Sequence, residues 1–186
     1  MSFLNSLFAR FEHSQKNTVN TMVSAPVDGD AFALSAVADT AFSSGMLGTG
    51  IAFTPESCDT VEVVSPVAGR ITALFPHAFA LLTSQGAEVL VHVGIDTVEL
   101  HGKYFEQLAE KDSVVQVNEP IIRYNPTAVA AAGFENTVIL TVLNPGEFSC
   151  ATLIEELKSI ETGATFPVTK GASVMCIKGG CGARQN

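Results

Sequence analysis

Short apolar runs separated by Gly and Pro make up most of the chain, from about residue 21 to residue 178. The runs are rich in Val, Ile, Thr and Phe, whereas helical periodicity is scarce. This pattern predicts an all-β domain with few short helices. Only residues 104–110 and 151–159 have a spacing that predicts a few helical turns.

A different pattern opens the chain. Five apolar residues over residues 2–12 would share one face of a helix: Phe3, Leu4, Leu7, Phe8 and Phe11. The polar residues 13–20 predict a linker. The apolar face could dock on the domain, or it could contact a membrane surface or a partner. We therefore expect an amphipathic helix and linker over residues 1–20, a domain over residues 21–178, and a flexible tail over residues 179–186.

An internal repeat is visible at an offset of forty residues. Residues 23–34 align with residues 63–74, and each copy contains a Pro-Val-x-Gly element. Pro cannot donate a ladder hydrogen bond and Gly permits positive φ, so each copy predicts a strand, a tight turn and a strand. Two such units favour an antiparallel β-sandwich or flattened barrel.

Composition and charge narrow the function classes. Ten basic and nineteen acidic residues give a net charge of −9, which would repel a nucleic-acid backbone. No apolar run is long enough for a membrane span and no signal peptide opens the chain, so we expect a cytoplasmic protein. The four cysteines are then expected to be free thiols, since the Cys176-x4-Cys181 spacing is loose for a metal or redox pair.

His92 lies in the segment with the clearest candidate chemistry, residues 86–98. On a strand, three valines share one face and His92 lies on the other. Gly94 can bring its backbone close to the imidazole. A backbone carbonyl could then hold one ring nitrogen and leave the other free as a nucleophile or ligand.

His77 lies fifteen residues before His92, and a plausible turn over residues 83–86 separates them. If the flanking strands form a hairpin, the two imidazoles meet on one face. Such a pair can bind a metal, or it can pass and stabilise a phosphoryl group. Zn²⁺ between them would need a partner's carboxylate to complete its ligands, and no cofactor is otherwise expected. His13 and His101 lack comparable surroundings.

Residues 86–98 closely resemble the signature of the glucose-type IIA components of the bacterial phosphoenolpyruvate-dependent sugar phosphotransferase system. The Pro-His77-Ala-Phe segment and its spacing to His92 are similar to that family as well. So are the Asp-x-x-Phe…Gly-x-Gly block over residues 39–52 and both Pro-Val-x-Gly elements. The resemblance covers roughly residues 21–178. One departure is that Phe75-Pro76 runs directly into His77, without the Thr that the family commonly has before this His.

The resemblance implies a β-sandwich phosphocarrier. Its His92 would accept a phosphoryl group from phospho-HPr and pass it to the IIB domain of a sugar permease. His77 matches the family's neighbouring His that assists transfer, and Asp96 matches an acidic residue near the active site. The acceptor in IIB is typically a Cys on a separate domain, so the site must be exposed and rimmed by apolar residues. The candidates for this rim are Phe42, Met46, Leu47, Phe79 and Leu90.

Three other function classes share features with this sequence. Zinc metallopeptidases that cleave peptidoglycan share a repeated β-unit, but they need a His-x-His pair, which this chain lacks. Biotin and lipoyl carriers need a Lys at a hairpin tip, and none is present there. A purely regulatory IIA-like domain would bind permeases or metabolic enzymes according to its phosphorylation state, because the added charge disrupts an apolar contact at His92. This regulatory role can coexist with phosphoryl transfer.

Overall fold

The computed structural model describes residues 20–56 and 58–179. The helix predicted within residues 2–12 and the tail from residue 180 onward, with Cys181, lie outside the described residues. No described helix is both long and apolar enough to cross a membrane. No disulfide joins the three described cysteines, Cys58, Cys150 and Cys176.

Fourteen strands form the framework of the described chain and the helices are few and short, which confirms the all-β prediction. The strands are β1 (Thr21–Ser24), β2 (Gly29–Ala33), β3 (Thr49–Pro55), β4 (Val61–Val64), β5 (Gly69–Phe75), β6 (Ala78–Leu82), β7 (Glu88–Val93), β8 (Phe105–Gln107), β9 (Val114–Val115), β10 (Pro120–Tyr124), β11 (Val138–Val142), β12 (Cys150–Leu153), β13 (Phe166–Val168) and β14 (Ser173–Lys178).

The helices are short and follow local capping signals. Asp39 caps α1 (Thr40–Ser43) by accepting a hydrogen bond from the backbone N–H of Ala41 at 2.7 Å, and Asn125 caps α2 (Pro126–Ala131). The described residues also contain four 3₁₀ helices: Leu34–Ala36, Thr97–Leu100, Pro145–Glu147 and Glu155–Thr162.

The helical turns predicted for residues 104–110 were wrong, because this segment contains β8. Its Phe105 pairs with Tyr124 of β10, and the two rings stack at 5.6 Å. A cross-strand aromatic pair of this kind overrides weak helical spacing. The turns predicted for residues 151–159 are placed too early, since the segment begins in β12 and the 3₁₀ helix starts at Glu155.

The strands form three antiparallel sheets. The large sheet has eight strands in the order β13-β2-β3-β11-β7-β6-β5-β9. Two small sheets have the orders β1-β14-β12 and β4-β10-β8. The main core contains buried Val, Ile, Leu and Phe side chains from both small sheets and from one face of the large sheet. This arrangement agrees with the predicted sandwich.

The two repeat copies meet through reciprocal backbone hydrogen bonds. The N–H of Ser24 donates to the carbonyl of Pro66 at 2.9 Å, and the N–H of Val64 donates to that of Pro26 at 3.0 Å. The strand order of the large sheet is unchanged when β13, β2, β3 and β11 exchange with β9, β5, β6 and β7. The two small sheets interconvert in the same way when β1, β14 and β12 exchange with β4, β10 and β8. One copy therefore comprises β4 to β10, and it is inserted into the other copy, which comprises β1 to β3 and β11 to β14.

Thr141 occupies the position in β11 that corresponds to His92 in β7. The offset of forty residues aligns Ala31 with Ile71. Strand pairing leads from Ala31 through Phe53 to Val138, and from Ile71 through Leu81 to Val89. Val138 of β11 therefore corresponds to Val89 of β7, and Thr141 corresponds to His92. Thr141 is fully buried, and its hydroxyl has no hydrogen-bond partner. A buried hydroxyl without a partner costs roughly 1–3 kcal/mol of stability.

We predict that Thr141→Val raises the free energy of unfolding by about 1 kcal/mol, because valine removes the unpaired hydroxyl at similar size. Chemical denaturation of both proteins checks this. Thr54→Val, at an exposed position of β3, is the matched control and should change stability by less than about 0.5 kcal/mol. A destabilised Thr141→Val protein would contradict the prediction.

Candidate active site

His92 lies on the outer face of the large sheet, with Val91 and Val93 buried in the core on the opposite face. Its Nδ1 atom is 2.8 Å from the carbonyl oxygen of Gly94. Because a carbonyl can only accept a hydrogen bond, Nδ1 carries the proton in the neutral ring. The lone pair of Nε2 is therefore left free.

His77 lies beside His92, with ring centroids 5.1 Å apart and ring planes at 70°. It sits in the turn between β5 and β6, and its carbonyl accepts a hydrogen bond from the N–H of Val93 at 2.7 Å. The next residue, Ala78, pairs directly with His92. The structure thus forms the predicted hairpin of β6 and β7 and brings the two imidazoles together.

Phe75 precedes this turn and stacks on His77, with ring centroids 6.3 Å apart. It lies two residues before His77 in the sequence. The side chain is 56% exposed, so it forms part of the surface around the two imidazoles. The rim prediction missed Phe75, although its place two residues before His77 could have indicated it.

Burial holds the pKa of the His92 imidazole below its usual 6.5, and the neighbouring His77 lowers it further. The hydrogen bond to Gly94 and the carboxylates of Asp39 and Asp96 oppose this shift. The pKa of His77 is also lowered by burial. Both rings are therefore neutral at pH 7, which keeps the lone pair of His92 available as a nucleophile.

We predict that His77→Gln raises the pKa of His92. The substitution removes the charge repulsion from His77, whereas burial, the larger cause of the lowered pKa, remains. NMR titration of the His92 ring signals in both proteins measures this change. A His92 pKa in the variant equal to or lower than that in the parent protein would refute the account.

Acidic side chains line a groove next to His92. Asp39 and Asp96 come from the N-terminal side of α1 and from the turn after β7, and Glu99 and Glu135 extend the same groove. Asp96 adopts a left-handed backbone conformation with φ 56° and is exposed. The sequence pointed to Asp96 but missed Glu135, which lies far along the chain just before β11.

The apolar candidates divide between surface and interior. Met46 is 79% exposed, and Leu47 and Leu90 are partly buried beside His92's face of the sheet. Phe42 is buried, with its ring centroid 5.4 Å from that of His92, so it packs under the site instead of forming a rim.

Phe79 was wrongly assigned to the rim. It pairs with Val91 in β6 and β7, and its side chain is fully buried in the main core. Neighbouring strand residues point to opposite faces of a sheet, so the face that carries Ala78 and His92 cannot also carry Phe79.

The described residues include no group of three or more His, Cys, Asp or Glu side chains placed to hold a metal ion. Catalytic zinc sites in proteins use three protein ligands and an open position. His77 and His92 alone supply two. The zinc metallopeptidase alternative is not supported.

A model of the family described as phosphoenolpyruvate-dependent sugar phosphotransferase system, EIIA 1, matches residues 21–148. The chain therefore belongs to this family of phosphotransferase-system components. The resemblance identified from the His92 signature is confirmed.

Individual relatives agree with this family assignment. The glucose-specific EIIA component of Staphylococcus aureus is 37% identical over 121 residues, which cover 64% of this chain and 69% of that protein. The solved structure of glucose permease IIA from Mycoplasma capricolum is 31% identical, with a TM-score of 0.69, and the match covers 85% of this chain and 96% of that one.

Some relatives are much longer proteins. The beta-glucoside-specific EIIBCA component of Bacillus subtilis is 35% identical over 136 residues, which cover 72% of this chain but only 22% of that protein. The chain thus spans about a fifth of the length of the beta-glucoside relatives it matches.

Proposed function

We propose that His92 accepts a phosphoryl group from phospho-HPr and that this chain passes the group to the IIB domain of a sugar permease. The observation that carries the proposal is the hydrogen bond between Nδ1 of His92 and the Gly94 carbonyl, which leaves Nε2 free beside His77. The lone pair of Nε2 forms a bond to phosphorus while the bond from phosphorus to HPr breaks, and its electron pair leaves with HPr. When the acceptor in IIB attacks, it forms a bond to phosphorus while the bond from phosphorus to Nε2 of His92 breaks, and the electron pair of that bond returns to Nε2.

Positioning and charge stabilisation supply most of the catalysis in phosphoryl transfer. A nucleophile on a central strand of the large sheet is held in place before the donor arrives. His77, next to it, can donate a hydrogen bond to the phosphoryl oxygens. The phosphoryl group brings nearly two negative charges close to Asp39 and Asp96. This repulsion disfavours the phosphorylated state and so keeps its transfer potential high.

The surface around His92 suits a protein partner. The exposed side chains of Met46 and Phe75 are available for apolar contacts with a partner, and the acidic groove next to His92 complements a basic partner surface. Since phosphorylation changes the charge at the centre of this surface, binding of permeases or metabolic enzymes there would depend on phosphorylation state. We place both activities in the cytoplasm. They need no resident cofactor, and Zn²⁺ between the two imidazoles would require a partner's carboxylate.

Incubation with phosphoenolpyruvate, enzyme I and HPr tests the proposal. We expect one phosphoryl group per chain, labile in acid and stable in alkali, as a phosphohistidine requires. Subsequent addition of a IIB domain should remove the label from this chain. Absence of label with an HPr that phosphorylates another EIIA component would overturn the proposal.

A further inference from the structure

Thr97 holds the turn that follows β7, which we call the Gly94 turn and define as residues 93–97. The side chain of Thr97 is fully buried, and its hydroxyl donates a hydrogen bond to the carbonyl of Val93 at 2.6 Å. Gly94 has φ +81°, and a Cβ atom at this position would collide with the Thr97 side chain. Thr97 therefore packs directly against the residue whose carbonyl contacts His92.

The two peptide groups on either side of Gly94 are each bonded at both ends. In the first, the Val93 carbonyl accepts from Thr97 and the Gly94 N–H donates to the Thr137 carbonyl at 2.8 Å. In the second, the Ile95 N–H donates to the Glu135 carbonyl at 3.0 Å, and the Gly94 carbonyl contacts His92. Of the two hydrogen bonds on the first peptide group, the one from Thr97 comes from a side chain and the other comes from the backbone.

We infer that Thr97 is a positioning residue that keeps the ring proton of His92 on Nδ1 by fixing the direction of the Gly94 carbonyl. Without the Thr97 hydroxyl, the Val93–Gly94 peptide group loses one of its two anchors. Glycine offers little resistance to rotation, so the Gly94 carbonyl can turn away from Nδ1. The proton of a neutral imidazole then distributes over both nitrogens. The fraction of rings with a free lone pair on Nε2 falls.

The inference rests on the proposed role of His92 as nucleophile, but its first test does not need phosphoryl transfer. The tautomer of unphosphorylated His92 can be read from the ¹⁵N shifts of its ring at a pH where the ring is neutral. Thr97→Ala removes the hydroxyl and the methyl group, whereas Thr97→Ser removes only the methyl group. The difference between these two variants isolates the hydroxyl.

We expect the parent protein and Thr97→Ser to show a protonated Nδ1 and an unprotonated Nε2. In Thr97→Ala the two shifts should move toward each other as both tautomers become populated. The rate of phosphoryl acceptance should fall about 10- to 100-fold, the range found when a group that orients a metal-binding histidine is removed. Backbone amide spectra verify that each variant is folded.

Two results would overturn the inference. One is an unchanged His92 tautomer in folded Thr97→Ala. The other is an equal tautomer shift in Thr97→Ser, which would assign the effect to the methyl packing. A lower melting temperature without a tautomer shift also counts against a positioning role. The ¹⁵N shifts are measured on the unphosphorylated chain. The tautomer of His92 can therefore be determined even if the parent protein fails to accept a phosphoryl group.

Discussion

Replacing His92 with alanine should abolish phosphoryl acceptance, with a loss of more than about a thousandfold in the rate of labelling by phospho-HPr. The reason is geometric. Nε2 of His92 is the nitrogen whose lone pair the Gly94 carbonyl leaves free, and the imidazole of His77 sits in a turn 5.1 Å away between ring centroids. No neighbouring side chain can bring a nucleophilic nitrogen to the same point.

The matched control for this prediction is His101→Gln, which removes an exposed histidine from the 3₁₀ helix end beyond the site. It should be labelled at the rate of the parent protein. Residual labelling of His92→Ala at a comparable rate would show that the phosphoryl group enters elsewhere.

His77→Gln should leave acceptance from phospho-HPr nearly intact and slow transfer to IIB by roughly a hundredfold, or about 3 kcal/mol of activation free energy. Glutamine retains a neutral hydrogen-bond donor for the phosphoryl oxygens. It cannot become cationic, however, and so it loses the charge that an imidazolium would place near the transition state. Rapid-quench measurement of both half-reactions separates the two rates.

His101→Gln again serves as control, because it makes the same chemical change at an exposed position. If His77→Gln transferred its phosphoryl group to IIB at the parent rate, the contact between His77 and His92 would have no part in onward transfer. A loss of acceptance as large as the loss of transfer would also contradict the division of roles.

Much of the fold follows from local patterns. The repeated Pro-Val-x-Gly elements indicated two β-units, and the structure contains them as two interlocking copies. The insertion of one copy inside the other was not predicted, since only the first two strands of each copy retain visible similarity. The error at Phe105 has the same origin. Its strand is specified by Tyr124, a partner distant in sequence.

The pair of histidines could be predicted because strand periodicity and a short hairpin place them together. Phe79 was misassigned because His77 lies in a turn, where alternation of side chains does not yet apply. Glu135 and Thr97 were not predicted as parts of the site, for different reasons. Glu135 reaches the site from a separate element, and Thr97 acts from a buried position through the backbone of Gly94.

The insertion of one copy into the other also sets the order in which the protein can be completed during synthesis. The inserted copy, β4 to β10, is contiguous and can pair its strands as soon as Tyr124 has left the ribosome. The outer copy must wait, since β1 pairs with β14, the last strand described. His92 belongs to the inserted copy, but the backbone groups that anchor Gly94 come from Glu135 and Thr137. A chain that ends before Glu135 therefore carries His92 without the two backbone carbonyls, from Glu135 and Thr137, that anchor the Gly94 turn.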